Sequence, residues 1–143
     1  MNTLREAIVA QAMGLIDTPY VHQARLPGVG IDCAGVPIVI ARALGLVLST
    51  FDITGYPATP DGVSLIAFCE RYMQRTAEPQ AGDVPVYRWG VRPQHLGVLV
   101  PYRHGGLSLV HALGPGHPAK VIESKVLPNM VLVAAYRLPG VPA

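Results

Sequence analysis

The sequence predicts an α+β domain, with N-terminal helices packed on a small antiparallel β-sheet. Three observations lead there. The first half carries segments with apolar residues at helical spacing. After Pro79 the chain turns to short β-rich runs, most of them separated by Gly and Pro. Helices first and strands after them is the α+β order. Finally, the 143 residues are 50% hydrophobic and only 14% charged, which suits one compact domain over 1–143 with a single substantial core.

The elements follow in chain order. Leu4, Ile8, Ala12 and Leu15 line one face of a helix over 3–15, with Asn2 or Thr3 available as its cap. Residues 17–31 read as loop, with Pro19, Pro27, Gly28 and Gly30. A second helix, apolar enough to be buried, starts at or beside Cys33 and stops near Gly45. Pro37 is awkward there: a helix starting at Asp32 would lose an N–H bond just inside its first turn. Residues 47–62 hold the turns Gly55-Tyr56-Pro57 and Pro60-Asp61-Gly62. Leu65, Ile66, Phe68, Cys69, Tyr72 and Met73 then form the apolar set of a third, amphipathic helix, where Cys69 reads as packing. Strands are expected over 82–87, 96–100, 107–112, 120–123 and 131–137, and the tail 138–143 as a loose end.

Charge and cysteine usage exclude several classes. The net charge of +2 comes from scattered arginines with no basic block, so nucleic acid is not an expected partner. No run approaches the ~20 apolar residues of a membrane span. The first ten residues lack the basic leader and apolar stretch of a signal peptide, so the expectation is a protein that starts soluble in a cytoplasm. Two cysteines, Cys33 and Cys69, make neither a disulfide framework nor a Cys-x-x-Cys motif.

The chemistry centres on Gly30-Ile31-Asp32-Cys33-Ala34-Gly35. With Asp32 as a candidate N-cap, Cys33 falls at a helix start, whose open N–H groups and dipole favour an anion. Such placement can lower a thiol from ~8.5 to roughly 3.5–7.5 and so favours a nucleophile. A thiol nucleophile needs a base within reach and a third group to orient that base. Of the five histidines, His95 opens a strand and His111 lies in the next, with a turn near 102–106 between them. A hairpin would set the two side by side, with His111 turned to the core. His104 and His117 read as solvated turn residues, and His22 as an anchor of its loop.

Thr18-Pro19-Tyr20, the Asp32-Cys33-Ala34-Gly35 segment, Gly82-Asp83-Val84, His95-Leu96-Gly97-Val98 and Val110-His111-Ala112 occur in an order that resembles the NlpC-type cell-wall cysteine peptidases. The segments from Pro19 to Gly30 and from Asp52 to Pro57 resemble the phage-tail and prophage branch of that family. The resemblance runs from about Leu4 to Leu138 and implies a reduced papain-like fold. It implies Cys33 as nucleophile, His95 as general base and His111 as the polar residue that orients it. Tyr20 would stand by the oxyanion, and Asp32 would shape the turn or contact substrate. The implied activity is hydrolysis of an amide in the peptidoglycan stem peptide, at a D-γ-glutamyl to diamino acid bond, with no metal and no cofactor. The implied setting is a virion tail, with other phage tail proteins as partners. Ala34 departs from the serine common at that place, and Pro37 is unusual so close to the nucleophile.

Three other readings compete. One is a non-enzymatic tail-tip or assembly protein that keeps the fold. Another is acyl transfer to an acceptor other than water. The third is a zinc site, which the absence of Cys-x₂₋₄-Cys or His-x₃₋₅-His pairs disfavours.

Overall fold

The computed structural model describes residues 3–58, 61–89, 92–116, 118–126 and 129–143. Asn2, Pro60 and His117, each given a role in the sequence reading, lie outside them. Helix α1 (Thr3–Met13) buries Ile8 and Ala12 on the expected face. The loop that follows contains two strands that the sequence did not disclose, β1 (Arg25–Leu26) and β2 (Gly30–Ile31), paired antiparallel. Each is two residues long, too short for any alternation to register.

Helix α2 (Gly35–Ala43) buries every residue from Gly35 to Ala41. It begins two positions after Cys33, and Pro37 explains why. An α-helical bond onto the Cys33 carbonyl would have to come from the N–H of residue 37, which proline lacks. Cys33 and Ala34 therefore form a turn, and Pro37 falls in the first turn of α2, where N–H groups have no intrahelical partner. Pro37 sets the start of the helix without interrupting it. Helix α3 (Ser64–Tyr72) follows, capped at its start by Asp61, whose carboxylate accepts the Ser64 N–H at 2.8 Å.

The second half is antiparallel β, as expected. Strands β3 (Gln74–Thr76), β4 (Val84–Trp89), β5 (Arg92–Leu96) and β9 (Met130–Arg137) form one sheet in the order β3-β9-β4-β5. Strands β6 (Val98–Pro101), β7 (Leu107–Ala112) and β8 (Val121–Ser124) form another. The run expected as one strand over 96–100 is broken at Gly97. Upstream of that residue the chain pairs with β4, and downstream with β7. A β-carbon at position 97 would stand 2.5 Å from the Val110 carbonyl oxygen and 2.9 Å from the His111 β-carbon, so only glycine fits the crossing. Backbone bonds from Gly82 N–H to the Leu99 oxygen and from Leu99 N–H to the Asp83 oxygen stitch the approach to β4 onto β6.

The core fills the space between helices and sheets with Ile8, Val36, Ile40, Val86, Val98 and Tyr136 among its members. Arg5 is buried within it, bonded to the Asp83 carboxylate at 2.8 Å and to the Ala81 carbonyl at 3.0 Å. The same guanidinium donates to the Pro142 carbonyl at 3.0 Å, and Val141 is buried. This corrects the expectation of a loose tail over 138–143. The lone apolar residues of so short a segment gave no sign that a buried arginine would hold it.

Candidate active site

Asp32 is the hub from which the site is built. Its carboxylate is buried and accepts four hydrogen bonds: from the N–H groups of Gly35 and Gln23, from Arg25 Nη1 and from the Tyr56 hydroxyl, all within 2.8 Å. The bond from Gly35, three residues on, is the one an N-cap makes, and it holds the Cys33 turn against the start of α2. Arg25 in turn reaches the Asp52 carboxylate, the Ile53 carbonyl and the Tyr56 hydroxyl. The segment 52–56 is thus strapped across the nucleophile turn. Gly35 admits this packing, since a β-carbon there would meet Ile31 at 2.6 Å and Arg25 Nη1 at 3.2 Å.

Cys33 is a half-buried free thiol that opens into a pocket also lined by Tyr20, His22, Asp32, Tyr56 and Asp61. The backbone N–H groups of Leu96 and Ala34 donate to its sulfur. They do not prevail. Burial first, and the Asp32 carboxylate second, push the thiol up to about 12. The expectation of a thiol lowered by the helix start is corrected here, because burial and the neighbouring carboxylate outweigh the N–H groups that would favour an anion. Cys33 holds its proton until a base removes it. Tyr20 is pushed up to about 12 by burial and by Cys33 and Asp32, so its phenol remains a hydrogen-bond donor beside the sulfur. His22 packs edge-on against Tyr56, with Nδ1 3.8 Å from the Asp32 carboxylate.

The two histidines meet as the sequence led us to expect, though from different sheets. His95 lies on β5, next to the Leu96 whose N–H touches the Cys33 sulfur. His111 lies on β7, fully buried beside the Gly97 crossing. Nε2 of His95 and Nδ1 of His111 share a hydrogen bond of 2.7 Å. Burial lowers His111 to about 4, so its ring is neutral near pH 7. Its other nitrogen, Nε2, lies 2.8 Å from the Ser124 hydroxyl.

The arrangement can support nucleophilic chemistry: a thiol, a neighbouring imidazole, a second imidazole behind it and a phenol donor at the pocket wall. Cys69 stands apart, buried in an apolar hollow with Pro37, Phe51 and Phe68, where it packs. His104 is exposed, as expected. Among the described residues no three His, Cys, Asp or Glu side chains converge on a metal position, and no helix is long and apolar enough to cross a membrane. The sequence reading missed Ser124, Arg25, Tyr56 and Gln23. A signal was present for the last three, since the segments 19–30 and 52–57 that stood out as motifs are the two that clasp Asp32.

Comparison with known proteins gives the fold. No protein-family model matches the chain, and no curated protein sequence matches it. Among solved structures, the chain is similar to the NlpC/p60 domain of the peptidoglycan hydrolase SagA. The TM-score is 0.60 at 23% identity, over 96% of this chain and 100% of that one. It is also similar to NlpC2 from Trichomonas vaginalis, with a TM-score of 0.64 at 17% identity over 95% of this chain. The match spans less than half of that longer protein, 46%. An N-acetylmuramoyl-L-alanine amidase from Bacteroides uniformis aligns over 95% of this chain and 99% of its own, with a TM-score of 0.59 at 14% identity. The architecture is that of the NlpC/p60 domains, a reduced papain-like fold.

Proposed function

We propose that this protein is a cysteine hydrolase of the bacterial cell wall, cleaving an amide bond in the peptidoglycan stem peptide. One observation carries the reading: a buried, hydrogen-bonded His95–His111 pair, in which His95 directly precedes the Leu96 whose N–H touches the Cys33 sulfur. The fold it shares with SagA, named a peptidoglycan hydrolase, supports the substrate class.

The steps follow from the site. A stem-peptide carbonyl enters the pocket between Tyr20 and the wall formed by Tyr56, Pro57, Asp61 and Leu65. Because the thiol holds its proton at rest, His95 acts as a general base and takes that proton as sulfur closes on the carbonyl carbon. Nε2 of His95 is engaged by His111, so Nδ1 is the nitrogen that would exchange the proton. The Tyr20 phenol and the Cys33 backbone N–H stabilise the oxyanion, a single such donor being worth ~10²–10³ in rate. The imidazolium returns the proton to the leaving amine, and water, deprotonated by His95, releases the acyl group. Asp32 takes no part in the chemistry and holds the turn.

The bond we favour is that between D-γ-glutamate and the diamino acid of the stem. The Bacteroides neighbour, named an amidase for the muramoyl–alanine bond, makes that linkage the second candidate. The setting we favour is a phage or prophage tail, on the strength of the segments 19–30 and 52–57, with other tail proteins as partners. Incubation with purified peptidoglycan and mass analysis of the soluble products tests the whole reading. Release of peptides that begin with the diamino acid is expected, and released peptides that begin with L-alanine would move the cut to the muramoyl linkage. Cys33→Ala should release nothing. If wild type and Cys33→Ala are equally inert on several stem chemistries, a non-enzymatic tail-tip or assembly role takes over.

A further inference from the structure

The Ser124 hydroxyl ends a chain of hydrogen bonds that begins at His95. It lies on β8, paired through Leu109 to the strand that carries His111, and stands 2.8 Å from Nε2 of that ring. His111 is fully buried, and both of its nitrogens have one partner each: His95 on Nδ1 and Ser124 on Nε2. A neutral imidazole carries a single proton, so the two partners decide between them which nitrogen holds it. For His95 to receive a proton on Nδ1, its Nε2 must keep the hydrogen and donate it to a bare Nδ1 on His111. The His111 proton must then sit on Nε2, where a buried N–H needs an acceptor. Ser124 supplies the oxygen.

We infer that Ser124 is a positioning residue, whose hydroxyl oxygen accepts from the Nε2–H tautomer of His111 and through it leaves Nδ1 of His95 to act as the base. Were the His111 proton on Nδ1 instead, it would be donated to His95 Nε2. The His95 proton would then occupy Nδ1, the nitrogen meant to accept from the thiol, and the base would be blocked. No covalent step is involved; one proton is kept on one side of one ring.

The inference rests on the hydrolase reading for the tautomer that the base requires, and on the geometry for the partner that receives it. The two are separable. ¹⁵N-labelled histidine spectra of the wild-type chain need no substrate and should show His111 protonated on Nε2. A wild-type His111 protonated on Nδ1 overturns the inference, whether or not the protein is active and whether or not any variant folds. Ser124→Ala should shift that signal toward the Nδ1–H form and lower kcat by roughly 10²-fold, the low end of what a general base contributes, with KM little changed. Ser124→Thr keeps a hydroxyl in a residue suited to a strand, and should restore both the spectrum and kcat. Unchanged kcat with an unchanged His111 signal in Ser124→Ala would also overturn it. A wall-inert wild type that shows the Nε2–H signal would defeat the hydrolase reading and leave the tautomer assignment standing.

Discussion

His111 is a histidine that the fold keeps uncharged, and this has a measurable cost in acid. Its pKa is depressed to about 4, below the ordinary 6.5, because burial penalises the imidazolium. The unfolded chain therefore takes up the proton first as pH falls. Stability from the neutral ring is complete above about pH 6.5 and is lost progressively down to about pH 4, a change of roughly 3 kcal/mol. Urea unfolding followed across that window should show the decline, and His111→Asn should flatten it. A wild-type curve with no slope there would mean that the ring is not held neutral. At this scale the sequence disclosed which two histidines meet and not the environment of the thiol. Cys33, His95 and His111 were recognisable from residue type and order. The push on the thiol was not, because it comes from Asp32 and from apolar walls contributed by segments far along the chain.

Among the elements, the broken strand 92–101 matters most. Its two halves serve different sheets, and Gly97 is the point at which they diverge. Gly97→Ala would force a methyl group against the Val110 carbonyl and the His111 β-carbon. We expect a loss of about 1–3 kcal/mol in stability, as for other overpacked sites. Turnover at a temperature where the variant is fully folded should fall as well, because β7 cannot yield without moving the His111 ring. Wild-type turnover in a folded Gly97→Ala would show that the crossing does not hold the pair. From sequence, 96–100 looked like one uninterrupted apolar run, since periodicity reports which residues are buried and not which neighbour a strand pairs with. The opposite happened at α2. Pro37 looked like a defect, yet it falls in the one turn of a helix that can spare an N–H.

Across the whole molecule, Arg5 joins parts that no local pattern connects: α1, the turn at 81–83 and the C-terminal segment. Arg5→Met would leave Asp83 buried without its cation, at a cost of about 3–5 kcal/mol in urea unfolding. Pairing it with Asp83→Leu should recover much of that loss, and equal losses in single and double variants would count against the pair as the tie. The α+β class, the helices and most strands of the second half were legible because each depends on local spacing. The strap over Asp32, the tie to the tail and the Ser124 partner of His111 depend on contacts between distant segments, which spacing does not encode. The bend at Gly97 also has a mechanical meaning. His95 rides on one leaf of a folded page and His111 on the other, with a glycine as the spine. The backbone bonds that Leu99 makes with Gly82 and Asp83 pin the leaves together near that spine, so the span bridged by the imidazole–imidazole bond is set by the backbone.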